Sequence, residues 1–215
     1  IGIKVDNVQY YTGGSETEPD NVVYFDPTSD TGKCDTYVEA NSATGIKAGC
    51  MRWFIYSIDD KGTSTEADDV VNMILDHNTT ERIAWNNSNI HFSTNYAGPS
   101  TSFKTQFGND TSGWTSNKLI SPNPNQYIAE WRYNDTDYAY TITYTTKARL
   151  IGADEVARIK GDSSWTYVTA SSGISSNNYS YLKTNLNSSQ PVGYWTNSPY
   201  YSVSEDAWRV YYDGD

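Results

Sequence analysis

Histidine and cysteine are scarce in this chain, two of each in 215 residues. That scarcity removes most of the metal and nucleophile chemistry a sequence can advertise. Two thiols do not complete a four-ligand zinc site, and His77 and His91 lie well away from Cys34 and Cys50. Basic residues are also few: 15 Lys and Arg stand against 26 Asp and Glu, a formal charge of −11. Phosphate backbones and anionic lipids would be repelled at long range, so no nucleic-acid partner is expected. Long apolar runs are missing too. The best candidate, VVNMIL at 70–75, is strand-sized, far short of the roughly 20 residues that cross a bilayer, and no membrane span is read. Phosphate-cradling loops, dinucleotide fingerprints, zinc-protease helices and nucleophile elbows find no match. The expectation is therefore no cofactor, no metal, no catalytic residue, and not an enzyme.

What the chain has instead is polar and aromatic. Ser and Thr together number 48, Asn 19 and Tyr 19, while apolar residues make up only 37%. Much of the buried surface must then come from aromatic rings, a usage that suits strands better than helices. The length fits one domain able to bury a core. Cys34 and Cys50 flank a polar stretch of 15 residues, and the favoured reading is a disulfide closing that loop, which implies an oxidising compartment. The alternative is two reduced, buried cysteines in a cytosolic protein. No signal peptide stands at Ile1, which reads as a mature or trimmed chain.

Patterning along the chain predicts an α+β fold with antiparallel strands dominant, few short helices and long loops. NVVYFDP reads as a short strand stopped by Pro27. In CMRWFIYSIDDKG, Met51, Trp53 and Ile55 alternate with Arg52, Phe54 and Tyr56, a strand with two apolar faces central to a sheet. VVNMILDH sets Val71, Met73 and Leu75 on one face and Val70, Asn72, Ile74 and Asp76 on the other. Residues 86–126 read as loop with helix that the pattern does not locate. QYIAEWRY and YAYTITYTT read as strands paired around NDTD. LIGADEVARIKG predicts one short helix: Gly152 as N-cap, Glu155 at the third helical position, Ile151 stapled onto Val156, and Gly161 as terminator. Residues 1–85 thus form the amino-terminal strands with the cysteine loop, 86–146 a loop-rich insertion and hairpin, and 147–215 a carboxy-terminal half.

Carboxylates are plentiful, and a glycosidase pair is defined by distance in space, which no sequence displays. Asp59, Asp60, Glu66, Asp68 and Asp69 cluster, as do Asp135 and Asp137, but neither group has the EF-hand spacing. His77 reads as a strand-end or turn residue. The six Asn-x-Ser/Thr sequons follow from composition.

The carboxy-terminal half carries a resemblance. RLIGADEVARI, then GYWTNSP, then AWRVYYDG is similar to C-type-lectin-fold domains of the group that holds formylglycine-generating-enzyme-like domains and retroelement-diversified variable proteins. The matching residues are Gly193, Tyr194, Trp195, Thr196, Ser198, Ala207, Trp208 and Val210. No cysteine follows Cys50, so the oxidase activity of that group is not implied, and Gln190-Pro191-Val192 lacks the acidic ligand of calcium-dependent lectins. Such domains also close with a further strand, and a chain stopping at Asp215 would leave an open sheet edge for a neighbour to fill. VVYFDP, the cysteine loop and VVNMILDHNTTERIAW are similar to pilin-like surface proteins of gut Firmicutes. The resemblances imply a cell-surface or secreted recognition domain for a protein or glycan ligand.

Its binding residues would be Asn197, Tyr200, Tyr201, Ser202, Ser204, Asp206, Arg209, Tyr211 and Asp213, with Trp195, Trp208 and Val210 holding the fold. Tyrosine supplies contact area at small entropic cost, while Ser and Asn adapt their hydrogen bonds. The competing expectation is a structural subunit of an extracellular filament or surface layer, its tyrosines touching neighbouring copies. A carbohydrate-active enzyme is the third reading.

Overall fold

Strand β4, Met51–Asp59, is the axis of the molecule. In the structure, a computed structural model, residues 3–11, 13, 20–35, 48–76, 84–86, 99–120, 125–133, 136–144, 147–163, 181–184, 194–199 and 207–210 are described. Among them only the backbone is described at 125–133, 136–144, 183, 184, 197, 199, 208 and 209.

β4 pairs antiparallel with β5, Val70–Leu75, from Trp53↔Leu75 to Asp59↔Val70, with one irregularity between Ile55 and Ser57. Its opposite edge is shared end to end. β3, Val22–Phe25, takes Met51–Phe54, and β2, Val8–Tyr10, takes Ser57–Asp59; β1, Lys4–Val5, extends the sheet beyond β2. Between the two half-length partners the ladder stays closed: Ile55 N donates to Asn21 O, Asn21 Nδ2 to Ile55 O, and Tyr11 N to Tyr56 O. These bonds occupy Ile55 N, Ile55 O and Tyr56 O at the junction, where an unmade bond would cost as much as a lost one.

Alternation then builds two cores from one strand. Met51 and Trp53 face a cluster with Val23, Phe25, Met73, Leu75, Trp114, Leu119 and Ala148. Phe54 and Tyr56 face the other way, with Tyr10, Val22, Ile74, Ile151, Ile159, Tyr181, Leu182 and Val210. The two-faced central strand expected from the sequence is therefore observed, as is the split of β5: Met73 and Leu75 join one cluster and Ile74 the other. Val71 is the exception, 45% exposed beyond the edge of its cluster. Rings do much of the packing, with Trp53 edge-on to both Phe25 and Trp114. Each such aromatic pair adds about 0.5–1.5 kcal/mol to its area burial.

Helix α2, Ala153–Lys160, covers the second cluster with Ile151, Val156 and Ile159. It forms as its sequence predicts, with the Glu155 carboxylate on the Gly152 amide and Gly161 at φ 99° ending it. A one-turn helix α3, Tyr181–Thr184, completes the cover; Tyr181 Oη donates to Tyr11 O, across 170 residues of chain.

Helix α1, Thr101–Thr111, falls in the stretch that sequence patterning left as loop with unplaced helix. Ser100 caps it, its Oγ accepting from Phe103 N at 3.1 Å, and Phe103 packs on Trp85. β6, Asn125–Tyr133, and β7, Thr136–Tyr144, form the expected hairpin, in register from Asn125↔Tyr144 to Tyr133↔Thr136. β8, Tyr194–Pro199, and β9, Ala207–Val210, form a second ribbon. The architecture is α+β, with every strand pair among the described residues antiparallel. Cys34 and Cys50 form the expected disulfide, Cα atoms 5.0 Å apart. Among the described residues no helix is long and apolar enough to cross a membrane.

Candidate recognition hairpin

The β8–β9 ribbon pairs Tyr194↔Val210 and Trp195↔Arg209, loses register, and pairs again at Pro199↔Ala207. Its two ends are therefore both held. At the base, Val210 is buried in the second core cluster and Tyr194 packs against it, its hydroxyl donating to Leu182 O at 2.9 Å. Tyrosine at 194 thus satisfies its polar tip inside the fold. Trp195, half-buried, lies on the opposite face, its ring 5.9 Å from that of Trp85, which packs in turn at a tilt against Phe103. Thr196 is buried, and Ser198 N donates to its Oγ1. At the far end Ala207 is buried as well.

Ser198 joins this ribbon to helix α2. Its Oγ accepts a hydrogen bond from Ala153 N at 2.9 Å, a partner 45 residues away. The bond serves the helix N-terminus, whose first amides have no partner within the helix. Gly152 N donates to Glu155 Oε2 and Ala153 N to Ser198 Oγ.

Glu155 extends the network into the core. Arg149 Nη1 and Nη2 grip its two oxygens at 2.7 and 2.6 Å, Arg149 Nη2 also donates to Tyr56 Oη at 2.8 Å, and Tyr56 Oη donates to Glu155 Oε1 at 3.2 Å. Burial and the Glu155 charge push the Tyr56 phenol well up, so it stays neutral and donates. Burial, then Glu155, also raise the Asp154 carboxyl above its ordinary value. A polar chain thus runs from central strand β4 through α2 to β8. Sequence reasoning did not find it, because Tyr56 and Glu155 are 99 residues apart and no pattern links them.

Of the residues expected to bind ligand, the structure brings Asn197 and Arg209 into this ribbon: Asn197 in the irregular part of β8, Arg209 opposite Trp195. Tyr200, Tyr201, Ser202, Ser204 and Asp206 belong to the segment joining Pro199 to Ala207, and Tyr211 and Asp213 follow β9; these seven lie outside the described residues. His77, His91 and Asp135 do too. Trp195 and Val210 pack as the framework residues they were expected to be; the Trp208 side chain is not described.

The acidic group around residue 60 is spent on a turn. Asp60 holds Lys4 at 2.7 Å and the Gly62 amide, Asp59 holds Lys61 through both its amide and its ammonium group, and Asp68 takes the Thr63 hydroxyl. The Lys61 and Lys4 bonds hold the Asp59 and Asp60 carboxyls below their ordinary value. Among the described residues no three His, Cys, Asp or Glu side chains are grouped to hold a metal ion. Compared with known proteins, the chain matches no family model, no curated protein and no solved structure.

Proposed function

We propose that the chain is an extracellular or cell-surface recognition domain of C-type-lectin-like fold, which binds a protein or glycan ligand through the residues between and after β8 and β9. Asn197, Tyr200, Tyr201, Ser202, Ser204, Asp206, Arg209, Tyr211 and Asp213 make that face, and no catalytic step is assigned to it. The observation that carries the reading is the anchored ribbon. A segment rich in Tyr, Ser and acid leaves β8 at Pro199 and re-enters β9 at Ala207, a directly paired couple on a frame tied to the core by Ser198, Thr196 and Val210. Rigid elements that hold a chemically adaptable loop are the usual basis of a binding site. The Cys34–Cys50 bond supports an oxidising compartment.

The test replaces residues 200–206 by a Gly/Ser tract of equal length. The parent domain is screened on a glycan array and on intact cells by flow cytometry, and the replaced domain is screened against whatever the parent binds. Recognition predicts lost binding with an unchanged circular dichroism spectrum. Retained binding would move the site elsewhere. Light scattering on the parent separates the filament reading, which requires concentration-dependent assembly.

A further inference from the structure

We propose that Ser198 is a positioning residue, whose hydroxyl on the first amide of α2 sets where the segment between β8 and β9 leaves the frame. It deepens the recognition reading and rests on that reading only for the functional meaning of the segment. Three observations meet at this residue. Its Oγ accepts from Ala153 N at 2.9 Å, although Gly152, at the helix N-cap, has no side chain to do so. It sits inside the stretch where β8 loses register, between Trp195 and Pro199, so the regular ladder does not hold it. The residue that follows, Pro199, is the one paired to Ala207 across the mouth of the segment. Thr196 Oγ1 on Ser198 N adds a second local tie.

Where ladder pairing lapses, side-chain bonds help fix the path of a strand. The far partner here is a helix end made rigid by Glu155, Arg149 and Tyr56. Ser198 therefore transfers the rigidity of α2 to the Pro199↔Ala207 pair. A serine that only capped the helix would have no effect at Ala207.

The experiment compares Ser198→Ala and Ser198→Thr with the parent by two-dimensional amide NMR and hydrogen exchange, with no ligand present. Loss of the bond should speed exchange at Ala153 roughly tenfold. It should also move the Ala207 resonance while that of Val210, at the buried base, stays put. Ser198→Thr keeps a hydroxyl and should restore both. Faster exchange at Ala153 with Ala207 unmoved would reduce Ser198 to a helix cap and overturn the proposal, as would no change at Ala153. If Ser198→Ala does not fold, Ser198→Thr against Ser198→Val supplies the same comparison. Failure of the 200–206 replacement to alter binding would sink the recognition reading and leave these NMR results standing.

Discussion

Removing the Glu155 carboxylate should cost the protein a large part of its stability. The side chain is 14% exposed and accepts four hydrogen bonds: two from Arg149, one from Tyr56 and one from the Gly152 amide. Bonds to a charged group contribute roughly 1.5–3 kcal/mol each, but four that share one carboxylate do not add. Breaking a buried pair by deleting one partner costs about 3–5 kcal/mol. Arg149 is 34% exposed, so water recovers part of its guanidinium, which places Glu155→Ala at the lower end, about 3 kcal/mol. Glu155→Gln keeps one acceptor for the helix amide and should lose about half as much. Urea unfolding followed by tryptophan fluorescence reads this directly. At roughly 2 kcal/mol per molar urea, the Glu155→Ala midpoint falls by about 1.5 M. A cycle with Arg149→Ala should show coupling above about 1 kcal/mol. A Glu155→Ala loss under about 0.5 kcal/mol, or strict additivity with Arg149→Ala, would refute the argument that this network binds α2 to β4.

Three further outcomes are expected. The Asp154 carboxyl is raised in the folded state above its ordinary 3.8, so its contribution to stability is complete below that pH and is lost as pH rises through the folded value. Asp154→Asn should therefore gain on the parent from pH 3 to pH 7 in urea titrations, and a constant difference across that range would contradict it. Opening the Cys34–Cys50 bond by Cys34→Ser should cost about 3 kcal/mol, the magnitude for a loop of this size, measured by thermal unfolding with and without reductant. Gly32→Ala should cost about 2 kcal/mol, because its φ of +71° strains any L-residue and the added Cβ would press into the Phe25 ring. Calorimetry showing no loss would mean that the turn relaxes freely.

Elements written in local pattern could be read from the sequence, and those written in distant pairing could not. β4 announces both its faces by alternation alone, and α2 announces its ends through Gly152, Glu155 and Gly161. Helix α1 escapes such reading for physical reasons: Thr, Ser, Asn and Gly108 are weak helix formers, and only Phe103, Asp110 and Thr111 are buried. Its one local signal was Ser100 before two phenylalanines four apart, Phe103 and Phe107. At the candidate site, the framework role of Val210 is legible because Trp208 and Val210 alternate with Arg209 and Tyr211, and that of Trp195 only through the resembling motif. Ser198 was visible only as part of a resembling motif. Its work depends on Ala153 N, and Tyr56 depends on Glu155, and neither partner is marked by spacing.

The Tyr181–Tyr11 bond, spanning 170 residues, bears on how the molecule comes into being. β4 and β5 are near neighbours in sequence and can pair early, but one face of that sheet waits for α2, α3 and β9 to arrive from the other end of the chain. Contacts so distant in sequence slow folding, since loop closure precedes any reward. On a ribosome the amino-terminal sheet would emerge with Phe54, Tyr56 and Ile74 incompletely covered until α2, α3 and β9 had been made, a period in which a holding chaperone has the most to cover.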